Sequence, residues 1–105
     1  MSLHILFIVR AVVPDESKRQ AFDQWYSREH LPDAVKVFGC RRAWRTWSAV
    51  DPSVHQAFYE FDDRASLDTA VGGDEMKRLV RDFDRDWPDI KRSRDILVLA
   101  ETWPA

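Results

Sequence analysis

The fold is decided by residues 21–45, which read AFDQWYSREHLPDAVKVFGCRRAWR. Four of them share one arc of a helical wheel, at about 100° per residue, and predict an amphipathic helix with that arc facing a core: Phe22, Trp25, Tyr26 and Glu29. Pro32 interrupts this helix and can start one more short helical turn, which Gly39 ends as a C-cap. A strand is expected to follow.

Hydrophobic alternation on both sides of this segment predicts strands. Residues 3–13 are β-branched and aromatic on both alternating sets, which is typical of a strand buried on both faces. Asp15 then follows Pro14 as a helix N-cap. Residues 40–50 and 54–62 also alternate, and the turn-forming sequence DPS joins them, so the pair predicts a β-hairpin.

The rest of the chain predicts a second helix and a last strand. Residues 64–87 carry an apolar stripe at helical spacing, which consists of Met76, Leu79, Val80, Phe83 and Trp87. This helix could bend or break at Gly72 and Gly73, and Pro88 ends it. Residues 95–103 are predicted to form the last strand.

The element order is therefore β, α, β, β, α, β, the ferredoxin-like arrangement of α+β proteins. Right-handed crossovers place both helices on one face of a four-stranded antiparallel sheet. The 105 residues form one domain, residues 1–105. The helix-free face has no covering element, although the first and last predicted strands carry apolar residues on both sides. The expected partner is a second copy of the chain, which would form a homodimer through this face.

Composition excludes several classes of protein. The 16 basic and 18 acidic residues leave no basic excess, so neither a nucleic-acid partner nor a membrane partner is expected. Cys40 is the only cysteine, which excludes an internal disulfide framework and suits a reducing compartment. Residues 1–13 lack the pattern of a signal peptide, and no apolar stretch reaches transmembrane length. A cytoplasmic protein is expected.

Residues 21–45 resemble the EthD-like branch of the dimeric α+β barrel superfamily, in which an aromatic pair on the first helix precedes a Glu-His-Leu-Pro segment and a glycine. The later stretch AFYEFDD is similar to the third strand of that group. Residues 40–44 depart from the pattern, because they include two arginines and a tryptophan where the group has small or plain apolar residues. The residues that fit its recurrent positions are Trp25, Tyr26, Glu29, His30, Pro32, Gly39, Arg45 and Tyr59.

The resemblance implies a dimeric α+β barrel, in which the sheets of two copies pack face to face. Relatives of this kind include lactone isomerases, cofactor-free monooxygenases, polyketide cyclases and dehydratases, haem-degrading enzymes and proteins with no known activity. Muconolactone-type isomerases are similar in a further respect, since they carry a histidine late in the first helix.

His30 is the first candidate for catalysis. It lies at the edge of the core-facing arc beside Tyr26, where a side chain can touch both buried surface and a cavity. The ordinary pKa of imidazole is near neutrality, which suits a general acid or base. The alternative is a structural histidine at a helix end, where it meets carbonyl groups.

Glu29 is the second catalytic candidate, because a carboxylate on the apolar arc needs a partner. It could have a raised pKa or orient His30, and it could equally form a structural ion pair with an arginine such as Arg45. The trio Glu29, His30 and Asp33 lacks the i, i+4 spacing of helical metal ligands. Neither a metal nor a cofactor is therefore predicted.

Four residues are candidates for substrate binding: Trp25, Tyr26, Arg45 and Tyr59. The aromatic pair on the first helix could form the wall for a flat, partly apolar ligand, or could fill the core. The Tyr59 hydroxyl could donate to a carbonyl or phenolate oxygen, or could be an ordinary buried phenol. Cys40, His4 and His55 are expected to be structural.

Arginines alternate with tryptophans in RRAWRTW, residues 41–47, which is typical of a strand that stacks RNA bases. The third strand lacks the matching aromatic pattern, and the chain is slightly acidic. Cation–π stacking of Arg42 or Arg45 on a neighbouring indole would explain the same residues.

Two functions remain open. The first is a small cofactor-independent enzyme of the isomerase, cyclase, dehydratase or monooxygenase type, which acts on an aromatic, lactone or polyketide-like molecule by proton transfer at His30. The second is a non-catalytic dimeric module that binds a small ligand or haem, or is purely structural. Under the first hypothesis, His30 is expected at the rim of a cavity between the first helix and the sheet, with the helix ending after it at Pro32.

Overall fold

The computed structural model describes residues 4–104. Four strands form one antiparallel sheet in the order β2-β3-β1-β4. The predicted ferredoxin-like fold is confirmed. The elements are β1 (Ile5–Val12), α1 (Glu16–Trp25), a π-helical turn (Tyr26–His30), α2 (Leu31–Phe38), β2 (Arg42–Trp47), β3 (Val54–Phe61), α3 (Arg64–Gly72), α4 (Asp74–Asp86) and β4 (Lys91–Val98).

The core lies between the sheet and the helices. Phe7 on β1 is opposite Tyr59 on β3 and Ile96 on β4, and alternation places all three on the helix-covered face. Phe22 of α1 and Phe83 of α4 are fully buried against this layer. The apolar stripe predicted from Met76 to Trp87 therefore faces the sheet, as its spacing indicated.

The predicted helix caps are present. The Asp15 carboxylate accepts a hydrogen bond from the backbone N–H of Ser17 at 3.0 Å, which satisfies a free donor of the first turn of α1. Gly39 ends α2 with φ of 59°, a left-handed conformation that favours glycine. Gly73, in extended conformation, separates α3 from α4, where a bend or break was expected.

Pro32 does not interrupt the first helix, contrary to the prediction. The chain stays helical from Glu16 to Phe38 because the turn Tyr26–His30 is wider than an α-helical turn. The N–H of Leu31 donates to the carbonyl of Tyr26, five residues earlier, which is the π-helical pattern. Proline has no N–H to contribute and its ring crowds the carbonyl four residues before it, so a wider preceding turn accommodates it.

The predicted position of the last strand is also wrong. β4 spans Lys91–Val98, not residues 95–103, and its pairing with β1 runs from Lys91 opposite Val12 to Val98 opposite Ile5. β4 is an edge strand, where charged side chains remain in solvent. Its helix-free side carries Lys91, Ser93, Asp95 and Leu97, so this side of β4 is mainly polar and Leu97 is its one apolar residue.

The helix-free face is nevertheless apolar at its centre. Ile8 is buried there, and Phe58 stacks on Trp44 with ring centroids 5.4 Å apart. Arg42 lies over the Trp44 ring at 4.9 Å, which is the cation–π contact expected of the RRAWRTW segment. Among residues 4–104, no helix is long and apolar enough to cross a membrane.

Candidate functional site

His30 is held between rings by the π-helical turn. Its imidazole stacks on the Trp25 indole with ring centroids 4.7 Å apart. The rings of Tyr26 and Phe83 meet it edge-on at 5.0 and 5.6 Å. These contacts hold the imidazole between α2, α4 and the sheet, where it is half-buried.

Glu29 lies on the exposed side of the helix, not on the core-facing arc. A helical wheel with 3.6 residues per turn places it inward, but the π turn contains one more residue per hydrogen-bonded ring. The residues after Tyr26 are therefore rotated, so that His30 points inward and Glu29 outward. Glu29 forms no ion pair with Arg45, and the predicted buried carboxylate is absent from this position.

A small cavity of about 30 Å³ lies beside His30, between α2, α4 and the sheet. Its walls are mainly apolar, and its polar groups come from His30, Tyr59, Arg92 and Arg94. A cavity needs roughly 10–15 Å³ to hold one water molecule, so this space holds water but not an aromatic ring without side-chain movement. The apolar residues that line it are Phe7, Val9, Ala34, Phe38, Met76, Leu79, Val80 and Phe83.

A second, polar groove of about 190 Å³ lies on the other side of His30. Trp25 contributes to its wall, and its Nε1–H donates to the Asp86 carboxylate at 3.0 Å. The groove also receives four charged side chains, from Glu29, Asp33, Asp82 and Arg85. The imidazole therefore separates an apolar cavity from a groove that carries carboxylates.

Burial lowers the pKa of His30 to about 4, and the nearby Arg92 guanidinium lowers it further. Asp33 and Asp82 favour the charged imidazolium but do not offset these effects. His30 is consequently neutral at pH 7. It can accept a proton, whereas the ordinary near-neutral pKa assumed from the sequence does not apply in the free protein.

Tyr26 and Tyr59 are both buried in the core, and the two phenols influence each other's pKa. Burial raises the pKa of Tyr26 to about 12 and raises the pKa of Tyr59 as well. Both phenols are therefore neutral. Tyr59 reaches the wall of the small cavity, whereas Tyr26 packs behind it against His55.

Arg45 belongs to a separate cluster that joins α1 to β2. It donates to the Asp23 carboxylate at 2.7 Å, and the Trp47 Nε1–H donates to the same oxygen at 2.8 Å. These two hydrogen bonds hold the pKa of Asp23 below its usual value. His55 lies within 3.4 Å of Arg45 and is fully buried. The structure thus brings His30, Trp25, Tyr26 and Tyr59 together but does not bring Arg45 to the cavity.

Solved structures resemble this chain, although scans against family models and curated proteins found no match. An EthD (ethyl tert-butyl ether D) family protein from Bacillus halodurans aligns with a TM-score of 0.66 and 22% identity, over 93% of this chain and 99% of that protein. SnoaB, a cofactor-independent oxygenase from Streptomyces nogalater, aligns with a TM-score of 0.74 and 12% identity, over 99% of this chain and 100% of SnoaB. These structures share the ferredoxin-like α+β fold of this chain. At these identities the likeness establishes the fold alone.

The sequence analysis did not identify two arginines on the helix-covered side of the sheet. Arg92 and Arg94 lie on β4 at the wall of the cavity, but they precede the segment that was predicted to be the last strand. Arg92 lies 3.9 Å from the centre of the Phe83 ring and donates to Asp84 at 2.6 Å. Within residues 4–104, no three side chains of the metal-binding types come together in a way that could hold a metal ion.

Proposed function

We propose that the protein is a small cofactor-independent enzyme that moves a proton on a flat, largely apolar molecule with a carbonyl group. The observation that carries this proposal is the position of His30. Its neutral imidazole borders an apolar cavity on one side and a polar groove on the other. An apolar wall excludes water from the reacting carbon, and the groove allows the proton to exchange with solvent.

In this mechanism His30 takes a proton from a carbon next to the carbonyl group, and an enolate forms. The Tyr59 hydroxyl, on the same cavity wall, donates a hydrogen bond to the developing negative oxygen. The imidazolium then returns the proton to the same or another carbon. Asp33 and Asp82 favour the positive imidazolium while it exists.

Ligand binding requires the cavity to open, because about 30 Å³ is far below the volume of a ring. Met76 of α4 lines it and has an unbranched, flexible side chain that can change rotamer. A ligand that enters here would contact Phe7 and Phe83 with its apolar surface. The small size of the closed cavity also favours a second candidate function, a non-catalytic dimeric module with a purely structural role.

Deuterium exchange into 2-tetralone tests the first function against the second. The hydrogens at C1 of this ketone lie between an aromatic ring and a carbonyl group, so their exchange in D₂O, followed by ¹H NMR, reports enolate formation directly. We expect the protein to accelerate exchange and His30→Asn to reduce the acceleration about 100-fold or more, as for a lost general base.

The matched control is His4→Asn, which changes a histidine on the opposite face of the sheet and should keep full exchange activity. Equal activity in the His30→Asn variant would overturn the assignment of His30. Exchange no faster than in buffer would reject proton transfer on this carbon acid and favour the non-catalytic module.

The same proposal includes a homodimer through the helix-free face. Ile8, Trp44 and Phe58 form an apolar strip across the middle of this face, and a second copy of the chain is the simplest partner that would cover it. A second copy would cover Trp44 and Phe58 with the same two residues of its partner. Sedimentation equilibrium at micromolar concentration should give a dimer mass, and a stable monomer would contradict this assembly.

A further inference from the structure

An open groove of about 460 Å³ adjoins the small cavity beside His30. It lies between α3 and β4 and is called here the α3–β4 groove. Its lining residues are Phe7, Arg64, Val71, Arg94, Asp95 and Ile96. Phe7 and Arg94 also line the small cavity, so the two spaces share a wall. The groove has the volume of an ordinary small-molecule site, which the cavity lacks.

The charged groups of the α3–β4 groove favour an anion. Arg64 is paired with Asp68 at 2.9 Å, whereas Arg94 forms no ion pair or hydrogen bond within residues 4–104. Asp95 contributes to the edge of the groove, but alternation along β4 directs its side chain to the helix-free face, opposite Ile8. The cationic Arg94 is thus the free charge at the junction of groove and cavity.

The apolar residues of the groove favour a ligand that carries a flat ring system beside its anionic group. Phe7, Val71 and Ile96 supply aromatic and branched aliphatic surface around the Arg94 side chain. Arg92, two residues earlier on the same side of β4, is already held by Asp84 and the Phe83 ring. Arg94 therefore has what Arg92 lacks, a guanidinium that is free to bind a ligand bidentately.

The geometry points to Arg94 as the residue that binds the carboxylate of an aromatic acid in the α3–β4 groove, and so determines the substrate class of the neighbouring His30 site. This inference rests on the proposed function for its biological meaning. An anion bound here would also bring negative charge toward His30, which favours the protonated imidazole that forms during proton transfer.

Isothermal titration calorimetry with 2-naphthoate and with 2-naphthamide tests the inference, because the two probes have the same ring system and differ in charge. We expect saturable binding of 2-naphthoate, and binding of the uncharged 2-naphthamide that is at least tenfold weaker. Arg94→Gln should weaken 2-naphthoate about tenfold or more and leave 2-naphthamide unchanged. Arg94→Lys should recover only part of the affinity, since lysine cannot bind bidentately.

The matched control is Arg81→Gln, which removes an exposed arginine of α4 that lines neither space. It should bind 2-naphthoate as the unaltered protein does. Three results would each overturn the inference: no saturable binding of 2-naphthoate, equal affinity for both probes, or an Arg94→Gln variant with unchanged affinity. Folding of each variant is checked by its near-ultraviolet circular dichroism.

Binding and proton transfer fail independently in these experiments. If the protein binds 2-naphthoate through Arg94 but does not accelerate hydrogen exchange in 2-tetralone, the proposed enzymatic function is rejected and the anion site is retained. If the protein accelerates hydrogen exchange in 2-tetralone but binds 2-naphthoate and 2-naphthamide equally, the enzymatic function is retained and the role of Arg94 is rejected.

Discussion

The Trp25 indole lies nearly parallel to the His30 imidazole, with ring centroids 4.7 Å apart and planes inclined by 16°. These residues are five positions apart, so in a regular α-helix they would point about 140° away from each other. The π-helical turn removes most of that angle, because its hydrogen bonds join residues five apart. The stack is therefore a direct product of the wider turn, and it covers one face of the imidazole.

Replacement of Trp25 tests what this stack does to His30. Trp25→Leu should admit water to the imidazole face, so the pKa of His30 should rise from about 4 toward the usual value near 6.5. This pKa is measured by following the histidine Cε1–H signals in an NMR titration. Trp25→Phe keeps an aromatic cover and loses only the hydrogen bond to Asp86, so its His30 should titrate as before. An unchanged pKa in Trp25→Leu would show that the indole does not control burial.

Acid should destabilise the fold before its carboxylates titrate. Burial lowers the pKa of both His30 and His55 to about 4, whereas in the unfolded chain each titrates near 6.5. The unfolded state thus binds more protons as the pH falls, so stability is lost across this interval. Between pH 7.5 and pH 5 the loss is about 2 kcal/mol for each imidazole.

Urea unfolding at these two pH values measures the effect. His30→Gln and His55→Gln should each reduce the pH dependence by about 2 kcal/mol, and the double variant should lose both contributions. A single variant that keeps the full pH dependence would contradict the buried, neutral state of that histidine.

The low pKa of His30 also predicts the pH profile of proton transfer. The second-order rate constant for 2-tetralone exchange follows the ionisation of the free protein. It should fall only below about pH 5, where His30 becomes protonated, and should be level from there to pH 8. The profile is measured with the buffer-catalysed rate subtracted. An inflection near pH 6.5 would mean that a histidine with an ordinary pKa carries the reaction.

Local patterns were sufficient to predict the element order, the break near Gly73 and both helix caps. They could not predict on which side of the helix Glu29 and His30 lie, because a helical wheel assumes one constant angle per residue. A single π turn reverses which of the two side chains is buried. The sequence signal for such a turn was the proline shortly after it, which was interpreted as a helix end.

The start of β4 could not be predicted from the sequence, for a different reason. Residues 91–95 read KRSRD and show no hydrophobic alternation, so nothing local marks them as strand. Their strand conformation comes from pairing with β1, far away in the chain, and their charges are tolerated at a sheet edge. Arg92 and Arg94, which line the candidate site, were missed together with the register that places them there.

The ion pair between Arg45 and Asp23 should matter more for stability than exposed pairs do. Asp23 accepts from both Arg45 and Trp47; its own side chain is 44% exposed, whereas the Arg45 side chain is only 18% exposed. Asp23→Ala leaves both donors without this partner and should cost about 2 kcal/mol in urea unfolding. Asp68→Ala, which breaks the exposed pair with Arg64, is the control and should cost less than about 1 kcal/mol. Similar losses of unfolding free energy in both variants would show that the contact between Arg45 and Asp23 does not stabilise the packing of α1 on β2.

Phe58 is the residue on which the proposed homodimer is most easily tested. It lies in the middle of the helix-free face, opposite Ile8 of β1 and Trp44 of β2, and stacks on the Trp44 ring. Phe58→Glu would place a carboxylate in an apolar interface, where it has no partner, while the helix-covered core stays intact. We expect this variant to sediment as a folded monomer at concentrations at which the unaltered protein is a dimer. Val50→Glu, in the turn between β2 and β3 where the side chain is 96% exposed, is the control and should remain dimeric. A Phe58→Glu variant that is folded and still dimeric would place the interface elsewhere on the surface.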